Sequence, residues 1–557
     1  MGDVRITRVR FAAGPRPGEA ELETQPQSTT VIVGPNASGK SLALREIEAW
    51  CSGSSEALRV LTDIGVELPE SVEEVLDLIR PFETSGPPQG QAANPDQILL
   101  TRSPTGTGGE QRILYRSQLS SGIINVEYVR QWVLPLLAAR LDGRSRFDLV
   151  QNVQVGDLLE PQHSHLGRLF QNSDLRERVR GIIEAAFDRY LVIDPTSVGQ
   201  LRARLSRRPP ADASEEQSWD ERARSFHSQA ELLHEESDGL QAFTGLVSAV
   251  VSLPHRILLI DEPEAFLHPP LARRLGRELA ALAHERRTSL FAATHSADFL
   301  MGCIESSIDT TIVRVTYERQ VATARWLSPE DVGSFMQDPI LRSTRALSGL
   351  FHRAVVVTEA DADRAFYDEV NQRLVAADRG LDDTLFTGAQ NWQTVGRVIG
   401  PLRQLGIPAL AIIDLDVIAS PDSWTSYWDS LNLHPDEKAR LGQQRAECRA
   451  LLEALGADKP YKTQGLQALD ADDRAQVANF LDELEGYGVF VVRVGELERW
   501  LEHLGVRGAK SQWIVRIFQA MGDDASSAGY VQPATDDVWA FLDRAACWVD
   551  DQDRRGM

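Results

Sequence analysis

Cysteine is scarce and scattered. Cys51, Cys303, Cys448 and Cys547 are the four in 557 residues, and no CxxC pair brings two together. That excludes a disulfide framework or a zinc ribbon and predicts reduced, buried thiols of a cytosolic protein. No run of about 18 apolar residues occurs, so no membrane span is expected. The opening Met1-Gly2-Asp3-Val4-Arg5-Ile6 lacks the basic and apolar segments of a secretory signal. No internal repeat at a solenoid period is evident. Positive charge is also short: 58 Lys and Arg face 81 Asp and Glu, a net charge of −23. This balance counts against a nucleic-acid partner, because phosphate contacts draw on Lys and Arg. It does not exclude one, since metal-binding carboxylates count as negative until ions arrive and a basic groove can coexist with an acidic exterior. The Arg-rich stretches Arg140 to Arg146 and Arg202 to Arg208 read as solvated helix faces rather than as a track for DNA.

What is present is an ordinary globular composition, 42% hydrophobic and 25% charged, in a chain long enough for two to four domains. Residues 4 to 33 read as short strands with a turn at Gly14 to Gly18, ending in the buried run Thr30 to Val33. A helix follows from Ser41 to Trp50, with Leu42, Ile47 and Trp50 facing inward. Residues 66 to 230 lack sharp motifs. Ser85 to Gly109 reads as a mobile loop, and Val126 to Leu141 and Leu175 to Tyr190 as helices. Arg256 to Ile260 and Ser289 to Ala293 fit central parallel strands, and the helical span Leu271 to His284 between them completes a βαβ unit. A second α/β region begins near Phe351, with strands at Ala354 to Thr358, Ala409 to Ile413 and Val489 to Val494.

Gly34-Pro35-Asn36-Ala37-Ser38-Gly39-Lys40-Ser41 satisfies G-x-x-x-x-G-K-[ST] between a strand and a helix. Its glycines let backbone N–H groups wrap phosphates; Lys40 would hold the β- and γ-phosphates and Ser41 a Mg2+ ion. Asp261 ends an apolar strand and would sit on the metal side. Glu262 follows it and could orient or deprotonate the attacking water. His295, after another apolar strand, would stand near the γ-phosphate edge; taken alone it is a satisfied polar residue.

The second constellation is acidic. Glu359 closes the Ala354 to Thr358 strand, and Asp363 lies one helical turn on. The favourable dipole at a helix start would equally explain these two acids. Asp414 and Asp416 end the next strand, where alternation would point both to one face while Leu415 packs away. Like charges so close repel unless a divalent ion turns the clash into coordination, which phosphodiester cleavage can use.

These residues resemble known families. The nucleotide motifs are similar to the ATP-binding-cassette heads of the SMC, RecF and related AAA-type families, above all Asp261-Glu262-Pro263-Glu264-Ala265-Phe266-Leu267-His268-Pro269. Ser237-Asp238-Gly239-Leu240-Gln241 resembles the cassette signature, which implies that Ser237 and Gly239 act on ATP held by a second head in a homodimer or higher oligomer. The acidic half resembles a Toprim domain. The two in this order are similar to the overcoming-lysogenisation-defect (OLD) family of ATP-dependent nucleases. That likeness covers about 1 to 60 and 235 to 510 in motif order, and it departs at Ala360, where the family usually has glycine.

The implied fold is α/β: an ABC-type P-loop ATPase with a helical insertion, followed by a Toprim-like α/β domain. Residues 1–65 and 231–345 form the ATPase, 66–230 the insertion with a dimerisation role, 346–520 the Toprim-like nuclease domain and 521–557 a C-terminal helical segment. The implied nucleotide-binding residues are Gly34, Asn36, Gly39, Lys40, Ser41 and Asp261. Glu359, Asp363, Asp414, Asp416 and Glu498 would hold Mg2+ or Mn2+, and Lys510 would stabilise the scissile phosphate. The implied activity is ATP-dependent DNA endonuclease action in anti-phage defence, with a defence-system partner protein, in the cytoplasm. The alternative is an ATP-dependent DNA-binding or repair ATPase whose Toprim-like half does not cut.

Overall fold

The computed structural model describes residues 4–557 apart from 55, 85–93, 103–109, 120–125, 144, 307, 329, 331, 334–336, 344, 423, 509 and 528. The chain divides into two compact units, Met1–Pro329 and Glu330–Met557.

The first unit is built on a six-stranded sheet. Its order is Val321–Leu327, Thr310–Glu318, Thr29–Val33, Ser289–Ala293, Ile257–Asp261 and Ala138–Leu141. All neighbours are parallel except the edge pair Thr310–Glu318 and Val321–Leu327. Thr29–Val33 and Ser289–Ala293 are buried along their whole length, as their runs Val31 to Val33 and Leu290 to Ala293 suit when helices cover both faces. Pro269–Glu285 is the crossover helix between Ile257–Asp261 and Ser289–Ala293. A smaller antiparallel sheet joins Arg5–Phe11 to Glu23–Thr24 and Leu61–Glu67.

Residues 66 to 230 are not all helical. Val126 to Leu141 starts in helical conformation, but Ala138–Leu141 becomes the parallel edge strand beside Ile257–Asp261. Helical periodicity cannot be told from a buried strand over so short an apolar run, and pairing with the existing sheet decides. Within Ser85 to Gly109, residues 85–93 and 103–109 lie outside the described residues. Between them Gln97–Arg102 is a strand paired with Glu110–Tyr115. Arg202 to Arg208 falls mostly on the strand Gln200–Ser206, not on a helix. There Arg202 and Arg204 reach the buried Asp194, and Arg208 pairs with Glu215.

The second unit carries a four-stranded parallel sheet, ordered Thr384–Gly388, Ala354–Thr358, Ala409–Asp414 and Val489–Val492. The last strand stops two residues short of the expected Val494. Its core gathers Phe366, Tyr367, Trp500, Trp513, Trp539 and Phe541, so the C-terminal helix Asp537–Asp550 packs into this unit. Among the described residues, no helix is long and apolar enough to cross a membrane.

Candidate functional site

The phosphate loop leaves the buried strand Thr29–Val33 and enters the helix Lys40–Cys51. Gly34 has φ +148°, and a Cβ there would stand 2.0 Å from the carbonyl oxygen of Val315. Gly39 caps the helix at φ +98°. Asn36 is exposed, while Ser38 is buried with its hydroxyl unpartnered. The helix turns Ala43, Leu44, Glu46 and Ile47 inward, whereas the expected Leu42 and Trp50 are half-buried. The buried Glu46 carboxylate receives the N–H groups of Arg59, Val60 and Leu61 at 2.7 to 3.2 Å, so one side chain fixes the segment behind the loop.

Lys40 is 5% exposed and donates to the carbonyls of Gly34 and Pro35 at 2.8 and 2.6 Å. Ser41 Oγ donates to Asp261 Oδ1 at 2.9 Å. Burial raises the Asp261 carboxyl above its ordinary pKa; the Ser41 bond opposes that shift and the neighbouring Glu262 adds to it. The hydroxyl and carboxylate that would share a Mg2+ ion are therefore in contact, and the orphaned Ser38 hydroxyl suits an anionic guest: these residues fit Mg·ATP. When bound, Mg2+ supplies charge neutralisation at the phosphates.

Glu262 has a left-handed backbone, φ +49°, and its side chain is about half exposed, with Oε1 3.5 Å from His295 Nε2. The carboxylate can therefore meet a water at the strand ends, as a general base requires. Two residues not singled out from the sequence complete the arrangement. Glu264 Oε1 accepts the His295 backbone N–H at 2.9 Å and so holds the His295 turn. Arg146, fully buried, donates to the carbonyls of Asp261 (2.5 Å) and Glu262 and, at 3.4 Å, of Ala265. The repeated acids of Asp261-Glu262-Pro263-Glu264 signalled Glu264. Nothing in the sequence signalled Arg146, which reads there as one more surface charge.

Ser237 precedes the helix Asp238–Ser252, is exposed, and makes no capping bond with its side chain. Gly239 lies against the loop after Glu262: a Cβ there would be 2.7 Å from the Phe266 carbonyl.

In the second unit the strand ends bring some acids together and separate others. Glu359 Oε1 accepts the Asp414 backbone N–H at 2.8 Å. Asp363 Oδ2 accepts the Ala360 N–H at 3.0 Å, which is the helix-start role left open by the sequence. The buried Tyr367 hydroxyl accepts Trp500 Nε1–H at 2.9 Å. Its pKa lies well above 10, mainly through burial and then through Asp414, with Asp363 and Glu359 adding and the Trp500 bond opposing. The charges of Glu359, Asp363 and Asp414 thus all act on one phenol.

Asp416 departs from the expected strand alternation. The strand ends at Asp414, Leu415 is buried as expected, and Asp416 opens the short helix Asp416–Ala419. Its carboxylate meets Lys462 Nζ at 2.7 Å, and the same ammonium reaches Glu496 at 3.2 Å. Glu496, not Glu498, shares this cation; Glu498 sits in the turn Leu497–Arg499. Lys510 starts the helix Lys510–Met521, and its side chain lies outside the described residues. Among the described residues, no group of three or more His, Cys, Asp or Glu is arranged to hold a metal ion. Asp416 is turned to an ammonium, so a divalent ion held by it would have to displace Lys462.

A family model described as "AAA domain, putative AbiEii toxin, Type IV TA system" matches residues 157–302, which include Asp261, Glu262 and His295. No curated protein matches the chain in sequence. Among solved structures, the chain is similar to an SMC head bound to the C-terminal winged-helix domain of ScpA, at 15% identity and a TM-score of 0.35, over 59% of this chain and 99% of that one. An SMC head domain from Thermotoga maritima gives 14% identity and a TM-score of 0.30, over 58% and 99%. The ATP-binding cassette of an ABC transporter, MJ1267, gives 13% and 0.26, over 61% and 98%. The first unit is thus an α/β domain with a P-loop nucleotide site, and its segment 157–302 matches an AAA-domain model.

Proposed function

We propose that this chain is an ATP hydrolase coupled to a divalent-metal-dependent DNA endonuclease of the OLD type, acting in anti-phage defence. The observation that carries the hydrolase half is the 2.9 Å bond from Ser41 to Asp261, with Glu262 beside it at the sheet's carboxyl edge. Lys40 and the loop N–H groups bind the phosphates, and Glu262 and His295 address the water. The exposed Ser237, uncommitted to its own helix, supports a homodimer in which it meets the neighbour's nucleotide.

The endonuclease half is supported by Glu359 and Asp414, linked at the carboxyl ends of adjacent parallel strands, where open α/β sheets place their ligands. A second reading has its own observation. Lys462, between Asp416 and Glu496, already neutralises Asp416, one of the acids that a metal would need, which favours an ATP-dependent DNA-binding or repair ATPase whose second unit does not cut.

A plasmid-nicking assay with Mg2+ or Mn2+, with and without ATP, separates the two. Cleavage that Asp414→Ala abolishes while ATP turnover continues supports the endonuclease. Binding of the plasmid without cleavage supports the second reading, and absence of both DNA binding and cleavage refutes each.

A further inference from the structure

We propose that Arg146 is a positioning residue for ATP hydrolysis: it touches no nucleotide, but its guanidinium sets the backbone that aims Glu262. The inference rests on the hydrolase reading above.

Arg146 lies in the turn Ser145–Asp148, just after the edge strand Ala138–Leu141 that pairs with Ile257–Asp261. Reciprocal bonds fix this turn: Asp142 N–H donates to Ser145 Oγ at 2.7 Å, and Ser145 N–H to Asp142 Oδ1 at 3.1 Å. From it the guanidinium reaches inward with no exposed surface, and its bonds go to carbonyl oxygens rather than to a carboxylate. A charge is costly to bury, so an arginine spent on three carbonyls has to hold something specific.

What it holds is the conformation of one residue. Nη2 binds the carbonyl oxygens of both Asp261 and Glu262. Those oxygens belong to the two peptide planes on either side of the Glu262 Cα, and the rotation between these planes is Glu262's own φ and ψ. That residue is in the left-handed region, φ +49°, which side chains other than glycine rarely adopt. One guanidinium therefore pins both planes of the strained residue whose carboxylate faces His295. Phe147 extends the grip: its ring meets Phe266 edge-on at 5.4 Å and anchors the far end of the same loop. Nη1 reaches the Ala265 carbonyl while Nη2 takes the other two, a fixed fork that the single rotating nitrogen of an ammonium cannot span.

The test uses Arg146→Lys, with Arg146→Met as a second variant, in the full chain with Mg2+. Phosphate release, binding of a fluorescent ATP analogue and thermal melting are measured together. The expected result is a kcat lowered about 30-fold or more, with ATP affinity within about twofold of the unaltered chain, because a positioning contact acts on turnover and not on binding. Arg146→Lys added to Glu262→Gln should lower turnover no further than Glu262→Gln alone. Unchanged kcat in Arg146→Lys overturns the role, as does a parallel loss of affinity and turnover. Failure of both variants to fold assigns Arg146 to the fold and overturns it equally. No turnover by the unaltered chain refutes the hydrolase reading, and this role with it; turnover unaffected by Arg146→Lys refutes this role alone.

Discussion

The left-handed backbone of Glu262 makes a prediction whose sign is the reverse of common experience. At most positions alanine is more stable than glycine by about 0.5–1 kcal/mol, because glycine loses more freedom on folding. At φ +49° any Cβ crowds the adjacent carbonyl, at a cost of roughly 1–2 kcal/mol that only glycine escapes. The contact given up is small: Glu262 and His295 lie 3.5 Å apart with side chains 53% and 34% exposed, so their pairing is worth at most about 0.5 kcal/mol. Both Glu262→Ala and Glu262→Gly lose that contact, but only Ala keeps the strain. Glu262→Gly is therefore expected to be more stable than Glu262→Ala by about 0.5–1 kcal/mol, the strain relieved less the entropy cost. On the proposed reading of Glu262 as the general base, both should also lose about 10²-fold or more in ATP turnover. Urea unfolding of the two variants without nucleotide, monitored by circular dichroism, measures the difference. An alanine variant equal to or more stable than the glycine variant would refute the strained conformation and the reasoning built on it.

Three further outcomes follow from the same geometry. Gly34→Ala places a Cβ 2.0 Å from the Val315 carbonyl, so it should lower the affinity for a fluorescent ATP analogue more than tenfold; unchanged affinity would show that the loop adapts. Burial pushes His255 down to about 3 and His165 down to about 4, with nearby arginines adding to the shift at His255. Both stay neutral when folded and take up protons near pH 6.5 when unfolded, so stability falls as pH drops below 6.5; at pH 5 the loss is about 2 kcal/mol for each, readable by urea unfolding across that range. Lys462→Met leaves Asp416 and Glu496 facing each other and should cost roughly 1 kcal/mol at neutral pH, the three side chains being about one-third exposed. A melting point equal to that of the unaltered chain at neutral pH would show that the contacts are incidental.

The central strands were legible because their chemistry is local. Ile257–Asp261, Ser289–Ala293, Ala354–Thr358 and Ala409–Asp414 are each apolar but for one terminal residue, and such runs suit sheets covered on both faces. The contact between Ser41 and Asp261 could be expected from motif chemistry even though 220 residues separate them. Other features depend on who the neighbours are. Ala138–Leu141 is a strand because Ile257–Asp261 offers it an edge, and nothing in its own residues shows that edge. Arg146, Arg202 and Arg204 look like surface charge in sequence, yet they turn towards carbonyls or the buried Asp194. Asp416 leaves the strand face because period-two alternation stops with the strand at Asp414, two residues earlier. Lys462 lies 46 positions further on, in no motif, and only the fold brings it to that acid.

Magnesium-dependent phosphate release by the intact chain, beside Glu262→Gln, tests the account most directly. Steady ATP turnover is expected from the unaltered protein, with Glu262→Gln binding ATP normally but turning it over at least about 10²-fold more slowly. A chain that binds no ATP, or a glutamine variant as fast as the original, would contradict it.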